Sequence, residues 1–371
     1  MTASVLVIGG GIAGRAVARV LARHGLGCTV VERSRSVARG MGVNLPGNAV
    51  RALGEVGVPA EALAGGMPVR RREYRNGRDR LLFATDEYRF WREVGQPVCL
   101  RHGDLVAALA FPDGVRVEQA RAVGARTTSS GVEVELEGAQ VPRLVDFVIG
   151  ADGIGSAMRA ALAVDGRRPS SMTDSSWRFV ADNPGVDCWT AWSGVEHTFL
   201  LIPVEPGLVY GYAARTRGGD IGADRSWLVR AASGFPAVVR DTVARALDGG
   251  ELHHASVDEV RLTHWHHGRL VLIGDAAHAT GPVWAQGVAM ALEDAIVLGG
   301  LLASTPTDGW ASVGAEFERL RRPRVEHVQA ATDRMSRLAA MPGVLRDLAA
   351  PVLGPRSHRQ AYGPLRAPLT S

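Results

Sequence analysis

Three glycines, Gly9, Gly11 and Gly14, stand in a GxGxxG spacing, and an acid, Glu32, closes the apolar run that follows. The chemistry such a set performs is the holding of a dinucleotide. Gly9 permits a tight turn, Gly11 lets the backbone approach a pyrophosphate, and Gly14 lets a helix pack against a strand. The phosphates then meet free N–H groups and the positive end of the helix dipole. Glu32 is placed to accept hydrogen bonds from ribose hydroxyls. On this element alone, FAD and NAD both remain open.

The elements that must position these groups read directly from periodicity. Ser4-Val5-Leu6-Val7-Ile8 is a continuous apolar run, as a strand buried on both faces requires. Arg15 to His24 reads as a helix with Ala16, Val17, Val20 and Leu21 along one stripe, and Cys28 to Val31 as a second strand. Two further strand-then-glycine segments follow. One is Leu144 to Ile149, then Gly150-Ala151-Asp152-Gly153-Ile154-Gly155-Ser156 and Ala157-Met158-Arg159. The other is Arg269 to Ile273, then Gly274-Asp275-Ala276-Ala277-His278, with Pro282 and Gln286-Gly287 before a helical pattern from Val288 to Leu302. A second GxGxxG is absent, which disfavours enzymes that carry a separate nicotinamide-nucleotide fold.

Composition narrows the class. At 371 residues, 46% hydrophobic and 22% charged, the chain suits a soluble protein of two domains. No run approaches the ~20 apolar residues of a membrane span, and the N-terminus lacks a signal-peptide pattern. All 42 basic side chains are arginine, which excludes Schiff-base and pyridoxal phosphate chemistry and the usual P-loop. The net charge of +4 is spread without a dense basic run, so nucleic acid is not an expected partner. An arginine-lined channel for anionic cofactors is the milder use of that charge. Three widely spaced cysteines, Cys28, Cys99 and Cys188, support neither a disulfide framework nor a zinc site and fit a reducing cytoplasm. The histidines at 264, 266 and 267 lack the spaced partners of a metal site, so no metal is expected.

Taken together, the segments 9–32, 150–159 and 274–287 resemble the single-component FAD-dependent aromatic monooxygenases. This is the para-hydroxybenzoate hydroxylase-like class, which includes salicylate hydroxylases and tetracycline-inactivating monooxygenases. The resemblance implies an α/β fold in which a Rossmann-like FAD-binding domain is interleaved with a smaller β-sheet substrate domain, followed by C-terminal helices. It places the FAD-binding domain at 1–68, 98–165 and 262–330, the substrate domain at 69–97 and 166–261, and a helical segment at 331–371. It implies non-covalent FAD, NAD(P)H as a transient co-substrate, and O2, one atom of which hydroxylates or epoxidises an aromatic or polycyclic small molecule. A dehydrogenase, reductase or cyclase on the same fold, or a non-catalytic flavoprotein, are the alternatives. Monomer and dimer are both open.

Residue by residue, the resemblance assigns Asp275 to the ribityl chain and Asp152 to FAD and NAD(P)H, with Arg159 ordering its loop. Arg33, Arg101 and Asn44 become flavin-side contacts, and Pro282, Gln286 and Gly287 lie beside the isoalloxazine ring, where backbone N–H groups favour negative charge. One departure stands out: the family usually has Gly-Gln-Gly in this loop, and here Trp284-Ala285-Gln286-Gly287 stands instead. Trp284 is expected either to shape the pocket or to fill core. No acid–base residue is singled out.

The stretch 166–261 is rich in aromatics. Thr198 to Pro203 and Leu208 to Ala214 read as strands joined by a turn at Glu205-Pro206-Gly207. Tyr210 and Tyr212 share one face, as do Trp177 and Phe179, so these are candidates both for substrate wall and for core. Tyr210, Tyr212 and Trp284 are the expected pocket residues. Thr332 to Leu353 reads as helix broken at Pro342 and Pro351 and packed on the flavin domain.

Overall fold

The protein was analysed as a computed structural model that describes residues 3–34 and 41–369. The N-terminal apolar run is the strand Val5–Ile8, buried along its whole length. It sits inside a six-stranded sheet in the order His266–His267, Leu270–Leu272, Phe147–Gly150, Val5–Ile8, Cys28–Glu32, Arg116–Gln119. All pairings are parallel except that of the two-residue edge strand. Parallel strands need crossovers that cover both faces, which is why the central runs Leu270–Leu272, Phe147–Gly150 and Val5–Ile8 are apolar and do not alternate. All three glycine-bearing segments therefore emerge from adjacent strands of one sheet.

The helix Ile12–Arg23 follows the glycine turn and packs on the long helix Gly287–Ser304. A Cβ at Gly299 would lie 2.4 Å from Val20 Cγ1, so only glycine allows this approach. Among the described residues, Gly287–Ser304 is also the one helix long and apolar enough to cross a membrane. Its side chains are instead packed against Ile12–Arg23, Gly47–Glu55 and Val313–Ala339.

A second sheet has seven strands, in the order Glu251–Ser256, Ser175–Asp182, Leu208–Arg215, His197–Glu205, Trp189–Ser193, Arg71–Asn76, Leu81–Asp86. The residues from 71 to 86 join it through parallel pairing of Arg72 with Trp189. Strand alternation gives the sheet two unlike faces. Trp177, Phe179, Trp192 and Phe199 are buried against the helices Ser226–Ala232 and Ala237–Gly249. Tyr210 and Tyr212 point the other way, toward the flavin-domain motifs.

The C-terminal region differs from expectation. One helix, Val313–Ala339, runs through Pro323 and across residue 330. The break falls at Pro342, but the next helix, Gly343–Tyr362, continues through both Pro351 and Pro355. Pro351 lies on the exposed side, where the carbonyl it leaves unpaired can bond water. This helix packs on the strand Leu81–Asp86 of the second sheet, with Gly354 against the ring of Phe83.

Candidate active site

The glycine turn has the shape its sequence predicts. Gly9 adopts φ +106, and a Cβ there would lie 2.3 Å from the carbonyl oxygen of Ala151. A Cβ on Gly14 would lie 1.8 Å from the carbonyl oxygen of Gly9. Gly11 differs: a Cβ there meets nothing within 4 Å, because the position opens onto a cavity. Glu32 accepts the N–H of Gly10 at 2.6 Å and that of Ser34 at 2.8 Å. Arg33 beside it is exposed.

Asp152 turns inward on its own loop. It accepts the Ser156 hydroxyl at 2.6 Å and the N–H groups of Ala157 and Met158 at 2.7 and 3.2 Å. Arg159 is buried and donates to the carbonyls of Ala276 and Ile154 at 3.1 and 2.5 Å, tying this loop to the one that bears Asp275. Behind that loop lies a buried polar network. Asp294 accepts the N–H of Gly274 at 2.8 Å, contacts His278 Nε2 at 2.7 Å and takes Arg321 Nε at 2.8 Å. Burial alone would raise its carboxyl, but His278 and Arg321 outweigh that and hold it at about 2. Glu293 pairs with Arg321 and Arg324. Gln286 is turned into the same network, accepting from Asn48 Nδ2 at 2.9 Å, so its side chain lies behind the cavity wall.

One cavity of about 680 Å³ joins the two sheets. At one end are Gly11, Asn44, Asp275, Pro282 and Gly287; at the other are aromatic residues of the seven-stranded sheet. The Asp275 carboxylate is reached through the cavity although protein surrounds it. Those surroundings push its pKa upward, opposed by His278 and Arg178. Asn44 Oδ1 is buried and has no hydrogen-bond partner among the described residues. The helix Gly287–Ser304 begins at this end with no side-chain cap, leaving its first N–H groups for a ligand.

Residues 2–333 match the family described as FAD binding domain. The chain belongs to the FAD-binding domain family. It is an oxidoreductase of the FAD-dependent monooxygenase group, and FAD is its cofactor. It is 30% identical to the aurachin C monooxygenase/isomerase of Stigmatella aurantiaca over 339 residues, covering 87% of this chain and 85% of that protein. It is 32% identical to a 3-amino-4-hydroxybenzoate 2-monooxygenase of Streptomyces platensis over 342 residues, with the same coverage of each. In structure it is similar to HpxO of Klebsiella pneumoniae, solved with FAD and uric acid: TM-score 0.86, 22% identity, covering 99% of this chain and 98% of that one. At that identity the likeness speaks for the fold alone.

The residues at the Gly11 end fit FAD. The glycine turn has room for a pyrophosphate where Gly11 faces the cavity, and the unpartnered Asn44 oxygen and the open Asp275 carboxylate are acceptors awaiting donors. Arg101 is placed elsewhere. Its guanidinium is held by Glu205 and Glu251, each at 2.8 Å, and it is not part of the cavity wall. Its strand, Val98–Arg101, instead brings Arg101 into register with Gly42.

Trp284 both lines the cavity and packs as core. It is 5% exposed, meets the Tyr362 ring edge-on at 5.5 Å, and its Nε1 lacks a partner among the described residues. Ala285 after it is left-handed at φ +52, at a position where the family usually has glycine. An L-residue there carries on the order of 1–2 kcal/mol of strain, held by the surrounding packing.

The sequence marks the aromatics Tyr74, Phe83 and Trp189 as substrate-domain residues, but it does not single out Arg178 or the polar cluster beside them. Arg178, in register with Tyr212, lines the flavin side. Across the cavity, Tyr74 stacks on Phe83 at 4.2 Å and lies 5.1 Å from the ring of Trp189. Beside them is a buried cluster of Arg72, Glu87, His358 and Tyr362, drawn from three separate segments. The one local signal is alternation at 71–74, which puts Arg72 and Tyr74 on one strand face.

Proposed function

We propose that this protein inserts one atom of O2 into an electron-rich aromatic or polycyclic ring at the expense of NAD(P)H. The observation that supports this reading best is the single cavity that runs from Asn44 and Asp275 to the aromatic face of the seven-stranded sheet. FAD, when bound, supplies the electron transfer and the activation of oxygen.

The chain's own residues do the rest. The turn at Gly9 to Gly14 and Glu32 hold the dinucleotide half, and Asn44 and Asp275 receive hydroxyl or N–H donors further in. The uncapped N–H groups at Gly287 and Val288, with the helix dipole, favour negative charge at that end. Trp284, Tyr210 and Tyr212 present apolar walls that fix which edge of a flat ring faces the cofactor, by burial and offset stacking. The helix Gly343–Tyr362 covers the far side and excludes water. With one glycine fingerprint in the chain, the nicotinamide nucleotide binds transiently from outside, with Asp152 ordering the neighbouring turn.

The experiment is to load the protein with FAD and supply NADPH, labelled dioxygen and a panel of hydroxyarenes that includes 3-amino-4-hydroxybenzoate. The expected result is NADPH consumption matched by a product bearing one labelled oxygen atom. Product formation that proceeds equally without O2 overturns the reading in favour of a dehydrogenase, reductase or cyclase.

A further inference from the structure

Arg72 is 1% exposed and lines the cavity from the strand Arg71–Asn76. Its Nη1 donates to the Tyr362 hydroxyl at 2.8 Å, and its Nε lies 3.2 Å from Glu87 Oε2. The guanidinium stands over the rings of Trp189 and Tyr362, 5.1 Å from each centroid. Its Nη2 is buried and has no hydrogen-bond partner among the described residues. A buried guanidinium N–H without an acceptor is unfavourable, and the group that removes the penalty is an acceptor brought into the cavity.

The charge of Arg72 is already matched. Glu87 is fully buried, 2.7 Å from His358 Nε2, and accepts the Thr85 hydroxyl at 2.8 Å and Trp91 Nε1 at 3.1 Å. A carboxylate delivered to Arg72 would therefore bring an unbalanced negative charge beside Glu87 into a water-poor space. A ring carbonyl would take the same N–H without adding charge.

We propose that Arg72 Nη2 anchors a neutral acceptor oxygen of the substrate, so that this site selects a keto-bearing aromatic bicycle over an aromatic carboxylate. The ring lies against the aromatic cluster of Tyr74, Phe83 and Trp189. The inference rests on the monooxygenase reading above and names the substrate class for the same site.

The test uses FAD-loaded protein and two probes that share a bicyclic skeleton and carry either a ring carbonyl or a carboxylate at position 4: 4-quinolone and its counterpart quinoline-4-carboxylate. Binding is read from the change in flavin fluorescence. Wild type is expected to bind the quinolone at least about tenfold more tightly. Glu87→Gln keeps the shape and removes the negative charge, and should bring the carboxylate to parity or better. Arg72→Met combined with Glu87→Gln removes both charges together, avoiding a lone buried ion, and should erase the preference for the quinolone. FAD content of each variant reports folding. Tighter binding of the carboxylate by wild type overturns the proposal, as does a tenfold preference that survives in the double variant, or failure of FAD-loaded wild type to bind either probe. Any of these with FAD content and labelled-oxygen coupling intact leaves the monooxygenase reading standing and removes this one.

Discussion

The hydroxyl of Tyr362 donates to the backbone carbonyl of Trp284 across 2.8 Å. The last residue of the helix over the cavity thus holds the loop at the cofactor end. The same oxygen accepts from Arg72, so Tyr362→Phe strips the loop of an anchor and leaves a buried donor unpaired. A loss of about 1–3 kcal/mol in stability is expected. Thermal unfolding of the FAD-loaded variant, with hydrogen peroxide release during NADPH oxidation, checks this. An unchanged melting temperature together with unchanged peroxide yield would show that the contact does nothing for the loop.

Glu32→Ala and Asp275→Ala should each weaken FAD binding by about 10–100-fold, since each removes a charged acceptor worth roughly 1.5–3 kcal/mol per hydrogen bond. Glu32→Ala also removes the acceptor of the Gly10 N–H. Titration of apoprotein with FAD decides it; wild-type affinity in both variants would mean that the cradle is assigned to the wrong residues.

Arg101→Ala gives the opposite expectation. The family resemblance makes Arg101 a flavin contact, whereas its charge is spent on Glu205 and Glu251 at the rim. Partly exposed pairs of this kind contribute about 0–1 kcal/mol. FAD affinity should stay within about twofold of wild type, because no ion pair at the cavity is lost. A tenfold loss would place the arginine at the cofactor after all.

Acid sensitivity follows from Glu87. Burial would raise its carboxyl, but Arg72 and His358 hold it at about 2, against an ordinary 4.5. A depressed folded-state pKa means the stabilisation is complete above the unfolded value and drains away as pH falls from about 4.5 through 2. Asp294, also held at about 2, acts in the same direction. Denaturant unfolding followed from neutral pH down through this range should show Glu87→Gln less stable at neutrality and less steeply dependent on pH than wild type. Parallel curves would mean that Glu87 carries no such shift.

Trp284→Ala should alter product regiochemistry, or divert NADPH oxidation to hydrogen peroxide, more than it alters FAD affinity. Misplacing a reacting ring by ~1 Å can cost ~100-fold in rate. Product distribution, peroxide and FAD affinity are measured together; a change confined to stability would make Trp284 core filling alone.

What the sequence reveals about this molecule depends on how local the cause is. The glycine turn is legible because its causes are short-range: Gly9 meets the Ala151 carbonyl after the neighbouring strand, Gly14 meets the carbonyl of Gly9, and Gly11 opens onto the cavity. The strands His197–Glu205 and Leu208–Arg215 are legible because alternation and a Pro-Gly turn are short-range. The Arg72, Glu87 and His358 cluster is not: its members meet only once the strand Arg71–Asn76, the short helix Glu87–Trp91 and a distant helix are assembled, and one arginine among 42 carries no mark. Pro351 misleads for a related reason. It signals a break locally, but a helix tolerates it where the orphaned carbonyl faces water.

Every group at the Gly11 end of the cavity, from the glycine turn to Gly287, precedes the segment that roofs the other end, Gly343–Tyr362. During synthesis the cradle is therefore complete in the chain before its roof has been made. An extension or tag fused after this helix would bear on the seal first, and would reach the cradle only through the Tyr362–Trp284 contact.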